Sequence, residues 1–226
     1  MKPVHTLLLL AALVALFATG CGDDKTQARL RIVHDSPDAP NVDVLVNGKT
    51  VATNVAYKGA SDYLTLPAAA TEIEVRPTGT TTDVIDAKVT LSKNTDYTVL
   101  ATNLVASIEP LVLTDDNAAP ASGKVKVRLV HGAPSAPPVD IYVTAPGADI
   151  TAATPTLTNV PFKAASAYLA VDAGSYQIRV TPTGTKTVVI DSGSVALTAG
   201  QIRTVIAVDN VGGGAPFGAI VSKDLN

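Results

Sequence analysis

One phrase occurs twice in this chain of 226 residues, and it restricts the fold more than any other feature. Arg31-Ile-Val-His34-Asp-Ser-Pro37-Asp-Ala-Pro40-Asn-Val42-Asp43 returns as Arg128-Leu-Val-His131-Gly-Ala-Pro134-Ser-Ala-Pro137-Pro-Val139-Asp140. The shared frame is Arg, apolar, Val, His, two variable residues, Pro, any, Ala, Pro, any, Val, Asp. A long-period repeat of this kind means two copies of one structural unit. Two further echoes extend it. Asn54-Val-Ala-Tyr57-Lys-Gly-Ala-Ser61-Asp-Tyr63 answers Asn159-Val-Pro-Phe162-Lys-Ala-Ala-Ser166-Ala-Tyr168, and Pro77-Thr-Gly-Thr80 answers Pro182-Thr-Gly-Thr185.

The repeated unit reads as β-structure. Leu30, Ile32 and His34 alternate with Arg29, Arg31 and Val33, the period-2 signature of a strand with one apolar face. Val125, Val127, Leu129 and His131 repeat the pattern. Val42–Val46 and Val139–Val143 are short β-branched runs bounded by Pro or Gly. Glu72–Arg76 and Tyr176–Val180 each run into a Pro-Thr-Gly turn, where Pro presets φ and Gly supplies a permissive corner. No stretch after residue 20 carries a sustained helical stripe with caps. Seven or eight short strands per unit predict an all-β chain of two tandem immunoglobulin-like antiparallel β-sandwich domains. The expected divisions are residues 28–116 and 124–226, joined by the small, Pro/Gly-bearing linker 117–123. Leu91–Val99 is similar to the E–F corner of fibronectin type III domains, with Tyr97 placed to bond the corner backbone; Arg203 stands at that position in the second unit.

Taken together, these motifs resemble the DUF4397 family, uncharacterised bacterial envelope proteins often built from tandem copies. The resemblance covers nearly all of the chain after its amino-terminal segment. It implies exported, lipid-anchored or surface-exposed β-sandwich modules and no established activity.

The amino terminus agrees with export. Leu7–Ala18 is an apolar run too short to span a bilayer and suited to a signal peptide. Ala18-Thr-Gly-Cys21 resembles a lipobox, and Cys21 is the only cysteine. The expectation is a signal peptide over residues 1–20, a lipid on Cys21 that holds the protein to a membrane, and a tether over 21–27. By resemblance to Gram-negative lipoproteins, Gly22 directly after the cysteine favours the outer membrane over the inner. Removing residues 1–20 leaves 16 basic and 20 acidic residues, net −4. That is no nucleic-acid footprint. Residues 28–117 carry net −5 and 118–226 net +2, opposite signs that suit docking of the units or contact with envelope partners.

Catalytic and metal chemistry is thinly represented. His34 and His131 are the only histidines beyond residue 20, one per unit, and no zinc-type spacing exists. Asp35, Asp38 and Asp43 suit calcium by type, but Gly132 and Ser135 replace the first two in the second repeat; a solvated acidic loop is the plainer reading. His34, Asp43 and Ser61 recur as His131, Asp140 and Ser166, the residue types of a triad. No Gly-x-Ser-x-Gly elbow or helix provides an oxyanion hole, so neither enzyme activity nor a cofactor is expected. The repeated His and Asp read instead as a structural clasp, His34–Asp43 and His131–Asp140, bonded across adjacent strands. If the two strands lie in opposite sheets, the histidine would bond loop backbone. The expected function is a non-enzymatic envelope module for structure, adhesion or protein interaction. The alternative is a binder of glycan, small molecule or calcium, and a hydrolase ranks last.

Overall fold

The computed structural model describes residues 26–224. The expected signal peptide, Cys21 and the tether as far as residue 25 lie outside the described residues. The first eight strands are β1 (Gln27–Asp35), β2 (Val42–Val46), β3 (Lys49–Val55), β4 (Leu64–Pro67), β5 (Ala70–Pro77), β6 (Ile85–Thr90), β7 (Asp96–Thr102) and β8 (Glu109–Asp115). The second eight are β9 (Lys124–His131), β10 (Val139–Thr144), β11 (Leu157–Val160), β12 (Leu169–Asp172), β13 (Gly174–Pro182), β14 (Ile190–Leu197), β15 (Ile202–Val208) and β16 (Gly218–Lys223). The chain is all-β, and no helix among the described residues is long and apolar enough to cross a membrane.

Each half is a sandwich of two four-stranded sheets. In the first the orders are β4-β1-β7-β8 and β3-β2-β5-β6; in the second they are β12-β9-β15-β16 and β11-β10-β13-β14. Strand pairing divides between Asp115 and Lys124, with every sheet drawn from one half alone. One pair per half departs from the antiparallel expectation: β1–β7 and β9–β15 run parallel. The chain leaves β1, builds the whole opposite sheet and the edge strand beside β1, and re-enters on the other side of β1 in the same direction.

Alternation decides what faces inward. Leu30, Ile32, Val44, Ile73, Val75 and Val99 fill the first interior. Val125, Val127, Leu129, Ile141 and Val180 occupy the second. The Tyr97 hydroxyl accepts a hydrogen bond from the Ser92 amide at 3.2 Å, which closes the β6–β7 corner. The Pro-Thr-Gly turns close through Thr80 N–H to the Pro77 carbonyl and Thr185 N–H to the Pro182 carbonyl, both 3.0 Å. Gly79 and Gly184 take the positive φ, 80° and 77°, that the turn needs.

The outward faces of β1, β7, β9 and β15 are also buried. Val33 and Leu100 from the first half meet Val130, Ile206, Val208 and Ile220 from the second in a third apolar cluster. The two sandwiches are therefore joined face to face along a seam, and β7 is buried at all seven positions. Full burial of such a side chain contributes roughly 1.5–3 kcal/mol.

Candidate functional site

The repeated phrase performs the same local work in both halves. His34 ends the apolar face of β1 and is 1% exposed. Its Nδ1 accepts the Ser36 amide at 3.3 Å, so Nε2 carries the proton and donates to the Pro40 carbonyl at 3.1 Å. His131 does the same with the Ala133 amide and the Pro137 carbonyl. Each ring is thus satisfied as the neutral tautomer and staples its proline loop. Burial holds both histidines below the usual imidazole range, against the opposing pull of the loop carbonyl.

The expected His34–Asp43 and His131–Asp140 clasps are not formed. β1 and β2 lie in opposite sheets, as do β9 and β10, so the residues never come opposite one another. Asp43 instead accepts the Asn54 amide at 2.8 Å and the Thr78 hydroxyl at 2.9 Å, tying β3 to the Pro-Thr-Gly turn. These bonds, with the Asn54 amide foremost, hold its carboxyl below the usual range. Asp140 accepts the Asn159 and Gly184 amides, both at 2.9 Å. Asn54 and Asn159 have positive φ (54° and 50°), and the aspartate fixes each in that conformation.

No triad assembles either. The Ser61 hydroxyl accepts the Ile32 amide and donates to the Asp62 carbonyl, and Ser166 repeats this with Leu129 and Ala167. The acidic loop also disperses. Asp38 caps the Val105 amide at 2.7 Å, Asp43 serves the turn, and Asp35 points into the seam with its Oδ2 on the Thr102 hydroxyl at 2.9 Å. Among the described residues no group of three or more His, Cys, Asp or Glu side chains is arranged to hold a metal.

The seam is crossed by two equivalent buried ion pairs. Arg31 donates to Asp224 at 2.7 Å and to the Lys223 carbonyl at 2.8 Å; Arg128 donates to Asp115 at 2.5 Å and to the Thr114 carbonyl at 3.0 Å. Each guanidinium also reaches a threonine of its own half, Thr98 or Thr204. Tyr63 and Tyr168 lie against the guanidinium groups at 4.8 Å and donate to Asp115 and Asp224. Burial foremost raises the pKa of both phenols. The arginine of the repeated phrase is thus an inter-module bolt, used once in each direction.

The halves differ most in their interiors. In the first, Ile73, Ile85, Leu91 and Tyr97 are all buried, and a gap between its sheets beside Ile32 and Val75 measures only about 10 Å³. In the second, a cavity of about 470 Å³ lies between the sheets, lined by Leu129, Ile141, Leu169, Ile178, Ile190 and Leu197. Ser192, Gln201 and Arg203 add polar groups to the lining. Many lining side chains, including Leu169, Ile178 and Val205, are only partly buried, so the cavity opens to solvent. Two local changes accompany it. Arg203 replaces the core-filling Tyr97, and β14 carries an extra residue at Gly193 (φ 61°), where the β13–β14 register shifts. A bulge of this kind bends its strand and increases the local twist.

The model of DUF4397, a domain of unknown function, matches residues 28–142 and again 143–226. The chain belongs to the DUF4397 family. The join between the two DUF4397 matches falls inside β10, whereas strand pairing divides before β9. No curated protein matches the chain significantly. Among solved structures, the CBM26 carbohydrate-binding module CBMbc of Eubacterium rectale Amy13K, crystallised with maltoheptaose, is 14% identical. That match covers 88% of this chain and 98% of the module, with a TM-score of 0.26. A leucine-rich repeat protein from Bacteroides thetaiotaomicron is 16% identical over 84% of this chain and 27% of its own, with a TM-score of 0.20.

Two features of this DUF4397 pair escape sequence reasoning. Arg31 and Arg128 look like solvent-facing residues, because nothing local announces a partner on another module. The cavity rests on Gly193 and Arg203; a repeat alignment exposes both, but neither states that the sheets leave space.

Proposed function

We propose that this protein is a non-enzymatic binding protein of the cell envelope, held to its membrane by a lipid on Cys21. Its second module takes a small apolar molecule between its sheets, and its first module is the closed platform to which the second is bolted. One observation carries the reading: the same fold is filled in one copy and open in the other. A volume of about 470 Å³ falls within the range of small-molecule pockets, about 300–1,000 Å³. Apolar side chains that stay partly wet in the second module gain burial when an apolar guest displaces water. The seam supports a second, compatible role. Two reciprocal buried ion pairs and an apolar cluster make the modules a stiff unit suited to spacing or presenting a partner-binding surface at the membrane.

The test is titration of the two-module chain from Gly22 onward with an environment-sensitive alkyl fluorophore. Saturable binding is expected, displaced by aliphatic alcohols. Val205→Phe, which places a ring in the cavity, should weaken binding at least tenfold while leaving the melting temperature equal or higher. Absence of saturable binding, or unchanged binding in Val205→Phe, overturns the cavity reading.

A further inference from the structure

Six aspartates are buried among the described residues, and four are fully answered. Asp96, Asp115 and Asp224 each face an arginine at 2.5–2.7 Å. Asp140 has a backbone amide on each oxygen. The remaining two, Asp35 and Asp209, are the most deeply buried, both 0% exposed. Neither has a cation within ion-pair distance among the described residues, and each keeps an Oδ1 without any hydrogen-bond partner. The Ser36 hydroxyl, also 0% exposed and next to Asp35 in the chain, is a third orphaned oxygen. Unanswered buried carboxylates are costly in a low-dielectric interior and call for a counter-charge.

The two carboxylates approach from opposite modules at one end of the seam, near enough for the charge of Asp209 to act on Asp35. Asp35 ends β1 and Ser36 follows it; Asp209 follows β15. The Asp209 carboxylate is held through Oδ2 by the Ser135 and Gly214 amides, at 3.3 and 3.0 Å, which leaves Oδ1 free. Gly132 occupies the position in the second module that Asp35 holds in the first. A Cβ on Gly132 would stand 2.3 Å from the Asp35 Oδ2 and 3.1 Å from the Ala207 carbonyl. The second module thus lacks a side chain where the first module's carboxylate enters, against Ala207, which is two residues before Asp209. Asn103, the first module's counterpart of Asp209, is instead spent locally on the Leu104 amide. The near-twofold symmetry of the seam is broken at this point, and the break brings two acids together.

We propose that Asp35, Ser36 and Asp209 bind a hard divalent cation of the calcium class, which ties the two modules together at the loop end of the seam. The donors are oxygen only, as Ca²⁺ requires, and water and backbone carbonyls complete its usual six to eight ligands. Burial foremost, reinforced by Asp209, already pushes the Asp35 carboxyl well above its usual range, against the Thr102 hydrogen bond and the charge of Lys58. The other titratable groups that sense this cluster are Tyr57, whose hydroxyl donates to the Asp209 carbonyl at 2.9 Å, and His131.

The test uses the two-module chain from Gly22 onward, with Ca²⁺ or EDTA, and Tb³⁺ as a luminescent probe sensitised by Tyr57. Millimolar Ca²⁺ at pH 7.5 should raise the melting temperature by several degrees, since a ligand bound only to the folded state stabilises it. Tyrosine-sensitised Tb³⁺ emission should appear and be displaced by Ca²⁺. Asp35→Asn and Asp209→Asn should each abolish both responses. In EDTA Asp35→Asn should melt at or above the wild-type temperature, because it removes a buried charge without changing shape. This keeps a lost response distinguishable from a failure to fold. No Ca²⁺ response in the wild type, or a response that survives in both variants, overturns the proposal. It is equally overturned if Ca²⁺ is silent while acidification from pH 7.5 to 5.5 stabilises the wild type but not Asp35→Asn, for then a proton neutralises the pair. Alkyl-probe binding in the second module is independent of every one of these outcomes.

Discussion

Removing Arg128 should loosen the whole two-module unit. Its side chain is 3% exposed, and the side chain of Asp115 opposite is 0% exposed. Arg128→Met keeps the length and apolar stem of the side chain. It strips Asp115 of the one cation that pairs with it among the described residues and leaves the Thr114 carbonyl without a donor it now has. Asp115 would keep the Thr98 and Tyr63 hydroxyls at 2.7 and 2.6 Å, but two neutral donors do not offset a buried charge. Breaking a buried pair by removing one partner costs about 3–5 kcal/mol. The retained hydroxyl bonds place the expected loss at about 3 kcal/mol, toward the lower end of that range. With a urea m-value of about 2 kcal/mol/M, the unfolding midpoint should fall by roughly 1.5 M. Adding Asp115→Asn removes the orphaned charge, so the double variant should recover at least about 1 kcal/mol relative to additivity. Arg31→Met should cost a similar amount through Asp224, because the second bolt repeats the first. A loss below about 1 kcal/mol for Arg128→Met, or strict additivity in the double variant, would refute a seam held by desolvated charge.

The neutral His34 and His131 rings make stability fall with acidity. Their folded pKa values lie below the unfolded value of about 6.5, so the unfolded chain takes up protons first as pH drops. Their contribution is whole above pH 6.5 and declines below it, by up to about 1.4 kcal/mol per pH unit for each ring. Urea midpoints at pH 7.5 and 5.5 for wild type and His34→Gln check this; the difference between them cancels the opposite-signed contribution of buried Asp35. An equal pH dependence in the two proteins would contradict the staple. Cys21→Ser should abolish metabolic fatty-acid labelling and block signal-peptide removal, and labelling that persists would exclude Cys21 as the anchor.

Much of the architecture was legible in the sequence because it is local or repeated. Period-2 alternation in Leu30–His34 and Val125–His131, and the Pro-Thr-Gly turns, depend on steric rules that act over a few residues. His34, Asp43 and Ser61, repeated as His131, Asp140 and Ser166, each hold backbone within their own module. The pairing of these residues was not legible. A gap of nine positions between His34 and Asp43 is compatible with one sheet or two, and only the strand order β4-β1-β7-β8 against β3-β2-β5-β6 separates them.

What the tertiary structure alone decided lies between distant parts of the chain. Arg31 finds Asp224 across 193 residues, and no pattern around either predicts the other. A charged residue on an alternating strand reads as solvent-facing until a second sheet covers it, which is why the outward face of β1 looked like surface. Asp35 opposite Gly132 is likewise a relation between two modules, because the space left by a missing Cβ has meaning only for what enters it. The open interior of the second module follows the same logic. Its apolar pattern matches that of the first, but cavity volume depends on how two sheets meet. One inserted glycine and one tyrosine exchanged for arginine accompany a change from a gap of about 10 Å³ to a cavity of about 470 Å³. Composition and periodicity record which side chains face inward; whether they touch is settled by packing.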